Sequence, residues 1–248
     1  MPRARALFLA AVLGLLAWQA RRLWIATTME TDHAAYWRRR RRSPGDVVLV
    51  ALGDSLAQGL GAAHPERSWV GRLAEVLEAR DGVRVRVVNL GVCGATVADV
   101  LADQLPAVPS EVFADPGRRR RGAAVDPPTA VVALAVGTND AARDTPVEDF
   151  RRDLEALCAA LPAGALVADV PDLQRGAAQR RGRVLSAVAR EVIAAHRGLR
   201  PVALEAATHT LRLWEFGPDL AHPDGRGYRR YGRAFATALP ERTGSSRA

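Results

Sequence analysis

Five short, nearly all-apolar runs alternate with amphipathic stretches along this chain, and that alternation limits its fold more than any other feature. The runs are Val47–Leu52, Val83–Leu90, Ala130–Val136, Ala165–Val170 and Pro201–Leu204. Successive side chains of a strand point to opposite faces, so strands this apolar are buried on both sides. Between them, Trp69, Val70, Leu73, Val76 and Leu77 fall on one helical face, and so do Val147, Phe150, Leu154, Leu157 and Leu161. Val184, Leu185, Val188, Val192 and Ile193 form a third such face, and Asp224–Leu239 reads as a closing helix. This order predicts an α/β domain with a mostly parallel five-stranded sheet covered by helices on both faces. The stretch Pro106–Pro128, with four consecutive arginines and the prolines Pro116, Pro127 and Pro128, reads as a long surface insertion.

The totals fit one cored domain. Of 248 residues, 48% are hydrophobic, too large a share for a disordered chain. Cys93 and Cys158 are too few for a disulfide scaffold or a cysteine zinc site, and both are expected to be free thiols. The charge is lopsided: the net charge is +8, and all 35 basic residues are arginine. Such an excess suggests nucleic acid, but the runs Arg38–Arg42 and Arg118–Arg121 are not interleaved with aromatics. No zinc-finger, RRM or basic-zipper pattern is present either, so nucleic acid is not an expected partner. The absence of lysine reads as codon bias.

Ala6–Ala20 is a fifteen-residue apolar run between Arg3, Arg5 and Arg21, Arg22. Its length suits the core of a signal peptide and falls short of the ~20 residues of a full span. Cleavage after Ala20 or Ala26 would put Trp18 or Trp24 three residues before the bond, which disfavours processing. Residues 1–28 are therefore expected to form an uncleaved membrane anchor with Arg21 and Arg22 snorkelling, a buried N-terminal helix being the alternative. Residues 29–45 read as an arginine-rich linker whose Arg38–Arg42 run can rest on anionic headgroups. Residues 46–241 then form the main domain, and 242–248 a polar tail.

Ligands of a doubly wound sheet bind beyond the carboxyl ends of its strands, and four polar blocks stand there. Gly53-Asp54-Ser55-Leu56 follows the first strand, and Asn89-Leu90-Gly91-Val92-Cys93-Gly94-Ala95-Thr96 the second. Gly137-Thr138-Asn139-Asp140 follows the third, and Asp219-Leu220-Ala221-His222-Pro223 stands near the C-terminus. Each alone reads equally as a turn or a helix cap. Together, in this order, they resemble the SGNH (GDSL) hydrolase family over roughly Val47–Tyr231. The resemblance implies a three-layer α/β/α sandwich of flavodoxin-like type, and ester or thioester hydrolysis with no cofactor and no metal.

The residue chemistry runs the same way. A serine hydroxyl is a weak nucleophile unless a positioned base takes its proton, and Ser55 stands at a strand end with His222 as the expected base. Asp219, three residues before His222, can hold one ring nitrogen and set the tautomer that faces Ser55. The tetrahedral intermediate needs donors aimed at its oxyanion. By the resemblance these are the backbone N–H groups of Ser55 and Gly94 and the side-chain amide of Asn139. Asp54 and Asp140 read as caps and loop braces.

Two features depart from common patterns. Cys93 stands before Gly94 where the family often has serine, and Ala57 replaces the second glycine of a G-x-S-x-G nucleophile elbow. A catalytic cysteine is not supported, because no histidine or acid accompanies Cys93. His33 (placed in the linker), His64, His196 and His209 read as incidental. The expectation is a monomeric serine esterase acting on a small ester or lipid, lysophospholipid included. An O-acetyl esterase of cell-envelope glycans is the alternative, as is a non-catalytic membrane-surface binding module on the same fold. The arginines after the apolar segment favour the cytoplasmic face, whereas the segment itself and the family's habit favour export to a bacterial cell envelope.

Overall fold

The first apolar run becomes the inner strand on which the rest is hung. The computed structural model describes residues 2–24, 28–113, 129–174 and 176–241. In it β1 (Val47–Gly53) pairs with β2 (Val85–Asn89) on one edge and with β3 (Thr129–Ala135) on the other. Two three-residue strands, β4 (Leu166–Ala168) and β5 (Arg200–Val202), extend the sheet beyond β3. The order is β2-β1-β3-β4-β5 and every pairing is parallel. All five expected strands are present; Leu204 belongs to the following helix instead of the last strand.

The helices are α1 (Pro2–Trp24), α2 (Glu30–Arg40), α3 (Ser55–Gln58), α4 (Trp69–Asp81), α5 (Val97–Asp99) and α6 (Thr138–Ala142). Then follow α7 (Val147–Ala160), α8 (Gly176–Ala195), α9 (Leu204–Thr208) and α10 (Gly227–Ala238). Strand β1 shows how the layers arise. Val48, Val50 and Leu52 point into a core shared with Phe150 and Leu154 of α7 and Leu185 and Val188 of α8. Leu49 and Ala51 point the other way, toward Trp37 of α2, Trp69 and Leu73 of α4, and Phe235 of α10. Trp69 and Phe235 stack at 4.3 Å. Gly232 lets α10 lie against α4, since a Cβ there would sit 2.6 Å from that of Arg72. Val184 is exposed, because the buried stripe of α8 runs through Leu185, Val188, Ala189 and Val192 and leaves it on the margin.

The stretch 29–45 corrects its reading as a linker. Residues 30–40 form α2, with Glu30 and Asp32 in its first turn and Arg38 to Arg40 in its last, the arrangement that complements a helix dipole. His33 and Trp37, one turn apart, are buried. Both rings meet the carbonyl of Gln58, through Nδ1 of His33 at 3.1 Å and Nε1 of Trp37 at 3.0 Å. Two well-placed rings outweigh a polar average. Arg40 turns inward to Glu66 (3.3 Å) and Glu78 (3.5 Å).

Helix α1 holds the expected anchor segment and is not a buried helix: Leu7 is 72% and Leu13 65% exposed. Among the described residues no helix is long and apolar enough to cross a membrane. Of the expected insertion, 3₁₀ turns at Leu105–Ala107 and Ser110–Phe113 are described, while Arg118–Arg121 and the tail 242–248 lie outside the described residues. Cys93 and Cys158 are free thiols.

One side chain finishes the sheet. β2 stops opposite Ala51, and beyond it Gly53 O still accepts from Val92 N at 3.1 Å, whereas Gly53 N has no backbone acceptor on that edge. Gln104 supplies one: its Oε1 accepts from Gly53 N at 2.9 Å, and its Nε2 donates to Gly53 O at 2.8 Å.

Candidate active site

The strand order reverses between β1 and β3, and the crevice at such a switch point is where a doubly wound sheet binds ligands. Ser55 leaves β1 and Asn139 leaves β3 at that point, while Gly94 comes from the loop after β2. Gly53 makes the exit from β1 possible: it has φ +146°, and a Cβ would lie 2.1 Å from the carbonyl oxygen of Ala135. Asp54 then caps α3 by accepting from Leu56 N at 2.9 Å, which begins a helix at Ser55. That helix is pinned beneath. Gln58 Nε2 donates to Gly91 O at 3.0 Å, and Asn89 Nδ2 donates to Ala57 O at 2.7 Å.

Ser55, Asp219 and His222 are brought together from positions far apart in the chain. Ser55 Oγ lies 2.9 Å from His222 Nε2, and His222 Nδ1 lies 2.5 Å from Asp219 Oδ2. A carboxylate can only accept, so Nδ1 carries the proton and Nε2 is left to accept from the serine hydroxyl. Burial opposes ionisation of Asp219. The hydrogen bond from the His222 ring and those from the backbone N–H groups of Ala221 and His222 outweigh it and hold the carboxyl below its ordinary range.

The three expected oxyanion donors stand where the chain leaves β1, β2 and β3. The N–H of Ser55 opens α3, where no preceding carbonyl of the helix can accept it. Gly94 has φ +79°, and its N–H meets no acceptor among the described residues. Asn139 Nδ2 donates to Ala95 O at 3.0 Å and makes only a long contact, 3.4 Å, with Asp54 Oδ2. The second amide hydrogen is thus the one able to turn to an oxyanion. Among the described residues no three histidine, cysteine, aspartate or glutamate side chains are grouped to hold a metal ion.

The sequence comparison decides the family. A profile described as the GDSL-like lipase/acylhydrolase family matches residues 51–230. The chain belongs to that family. This GDSL-like protein is a carboxylic ester hydrolase, and solved structures share its fold. A lipase from a goat-rumen metagenome superposes with a TM-score of 0.62 at 15% identity, covering 79% of this chain and 99% of its own. The acetylxylan esterase Axe2 from Geobacillus stearothermophilus gives 0.57 at 19% identity, with 81% and 97% covered. TesA gives 0.57 at 24% identity, with 77% and 97% covered. No curated protein sequence matches the chain.

Around the site of this GDSL-like hydrolase, the acids act as braces. Asp54 is wholly buried and accepts from Thr138 Oγ1 at 2.5 Å, and burial raises its pKa. Asp140 accepts from Val97 N at 3.1 Å, and burial lifts its pKa to about 6. Cys93 sits beside Gly94 with its thiol pushed up to about 11 by burial and by Glu30, so it stays protonated. His64 is exposed, edge-on to Tyr36 at 5.0 Å. Other participants escape a motif reading. Gln58 and Gln104 are lone amides in apolar surroundings, and His33 and Trp37 act from before the domain. Arg143, one turn after Asn139, lays its guanidinium 3.2 Å from where a Cβ on Gly94 would be. Their only sequence signal is a polar or aromatic residue close to a block.

Proposed function

We propose that this enzyme cleaves its esters through an acyl-enzyme on Ser55, and that its substrates are lipid or lysophospholipid esters met at a membrane surface. The observation that carries the mechanism is the continuous chain from Ser55 Oγ through His222 to Asp219, with contacts of 2.9 and 2.5 Å. Ser55 Oγ attacks the ester carbonyl while His222 Nε2 takes its proton. The charge that forms on the carbonyl oxygen faces the donors of Ser55, Gly94 and Asn139. Collapse breaks the ester C–O bond, and His222 hands its proton to the leaving alkoxide. Water, deprotonated by the same nitrogen, then releases the acid and restores Ser55. Asp219 orients the imidazole throughout and balances its charge.

The membrane part of the reading rests on α1, whose apolar side chains face outward. At about 1.5 Å per residue, its fifteen-residue apolar run is about 22 Å long, short of a ~30 Å hydrocarbon core, and suits insertion without crossing. We place the enzyme in the bacterial envelope as a monomer, since one chain supplies every group of the triad. A reporter fused to the C-terminus would report the face of the membrane.

The decisive test is Ser55→Ala. Turnover of a short-chain p-nitrophenyl ester and labelling by a fluorophosphonate probe should both vanish, with thermal stability nearly unchanged. Full turnover in that variant overturns the mechanism. Absent labelling of the wild type would favour a binding module. A second substrate reading, removal of O-acetyl groups from envelope glycans, draws on the fold shared with an acetylxylan esterase. A panel varying acyl length and headgroup separates the two: preference for acetyl over long acyl chains would replace the lipid reading.

A further inference from the structure

We propose that a groove between the end of α1 and the loop carrying His222 binds the phosphate of anionic lipid headgroups. The proposal rests on the lipid-surface reading above and assigns residues to it. The groove holds about 900 Å³, with Trp24 and Met29 on one wall and Pro218 and Leu220 of the catalytic loop on the other. Five arginines line it, Arg21, Arg67, Arg72, Arg226 and Arg229, against one carboxylate, Asp224.

The arginines are poorly neutralised. Asp224 lies 3.5 Å from Arg226, and Arg72 reaches Glu75 at 3.1 Å through Nη1. The Nε of Arg72 is buried with no hydrogen-bond partner. That atom is closed off, so the donors open to a phosphate oxygen are the terminal guanidinium nitrogens of the lining arginines. Among the described residues, Arg67 and Arg229 form no ion pair, and both are exposed. Arg67 is also placed: its stem lies along the backbone at Gly225, where a Cβ would be 3.3 Å from its Cδ.

The rim selects the source of the phosphate. Leu23 is 66% and Trp24 53% exposed where α1 meets the groove, and Leu220 is 41% exposed on the opposite side. A soluble anion gains nothing from an apolar rim, whereas a lipid phosphate arrives with acyl chains that cover it. Docking there sets the loop carrying Asp219 and His222 against the lipid surface. Residues 38–42 do not line the groove, and Arg40 of that run is held by Glu66 and Glu78.

The test is co-sedimentation of the full chain with vesicles of phosphatidylcholine alone and of phosphatidylcholine mixed with phosphatidylglycerol. The double variant R67Q/R229Q should lose about tenfold or more of its partition onto the mixed vesicles and keep its partition onto the neutral ones. R197Q/R200Q removes the same charge at the amino end of β5, the far end of the sheet, and should keep both. Melting curves check that each variant is folded, and the single variants R67Q and R229Q, each with a partial loss, stand in if the double one is not. Unchanged partition of R67Q/R229Q, or an equal loss in R197Q/R200Q, overturns the groove. Displacement of the wild type from mixed vesicles by glycerol phosphate also overturns it, in favour of a soluble phosphate ligand. A wild type that binds neither vesicle sinks the lipid-surface reading as well, so the two failures are distinguishable.

Discussion

The two partners of the 2.9 Å contact, Ser55 and His222, are held by opposite means. Ser55 stands on the sheet: β1 runs straight into it, and buried Asp54 and Gln58 flank it. His33 and Trp37 reach the carbonyl at the end of its helix from a separate element. His222 stands on a loop that organises itself. Asp219 accepts from the backbone N–H groups of Ala221 and His222, each at 3.0 Å, as well as from the ring. Gly217 N closes the loop onto His222 O at 2.7 Å, beside a bridge from Phe216 to Pro223. Placement of the proposed nucleophile is thus a property of the whole fold, whereas placement of the proposed base belongs to a few residues. Damage on the base side should cost mostly activity and only the small stability that the Asp219 carboxylate contributes, and damage beneath the nucleophile should cost both.

The largest effect is expected from Asp219→Asn, which keeps the loop's acceptor but loses the charge that fixes the tautomer. Steady-state kinetics should show kcat down by about 10³–10⁴-fold, with the protein still folded at neutral pH. A variant that unfolds instead would break the contrast, because the loop would then be supporting the fold. The acid side follows from the sign of its shift: a depressed carboxyl stabilises the native state above its ordinary pKa, and that share is lost as pH falls through the lowered value.

Gly61→Ala probes the seam where the two sides touch. Gly61 has φ +88°, and a Cβ would meet Pro223 O at 2.5 Å and His222 Cβ at 2.8 Å. Shifting the base by a fraction of an ångström should lower kcat/KM by roughly 10²-fold, and fluorophosphonate labelling should slow in parallel. Labelling at the wild-type rate would mean that the loop absorbs the push.

Trp37→Ala sharpens the nucleophile side. Truncating a buried tryptophan costs about 3–5 kcal/mol, read from urea unfolding, and the freed Gln58 carbonyl should lower kcat by less than about tenfold. Loss of activity with no loss of stability would contradict the reading. The smallest effect on activity is expected from Asp140→Asn. Burial raises this carboxyl to about 6, so its ionisation opposes folding, and the penalty sets in as pH rises from the ordinary 3.8 toward that value. The variant should gain at most about 3 kcal/mol above pH 6 and nothing in acid, measured as the difference in Tm between the two conditions.

How much of this was legible in the sequence depends on how local each signal is. The strands are, because a doubly buried strand must be apolar at every position, as Val47 to Leu52 are. The four polar blocks are, because each follows a strand or precedes the last helix. Helix α2 was not: its two anchoring rings are one turn apart in a stretch whose average is arginine. Gln58 and Gln104 were not, since a single amide carries no periodicity and its partners are backbone groups far away in sequence. The groove was not, because its arginines come from α1, α4, α10 and the loops between, and meet only in three dimensions.

The pairing of Gln104 with Gly53 bears on how such an enzyme can diversify. A side-chain amide there imitates a peptide group, so the hydrogen bonding of β1 is complete before the chain enters the stretch that follows. The described residues between Gln104 and β3 make no hydrogen bond to Ser55 or its helix. Provided that Val108 and Val112 keep their places in the core beside β1, mutation can recompose the rest of that stretch without touching the hydrogen bonds that hold Ser55, and a designer can graft a foreign loop beyond them.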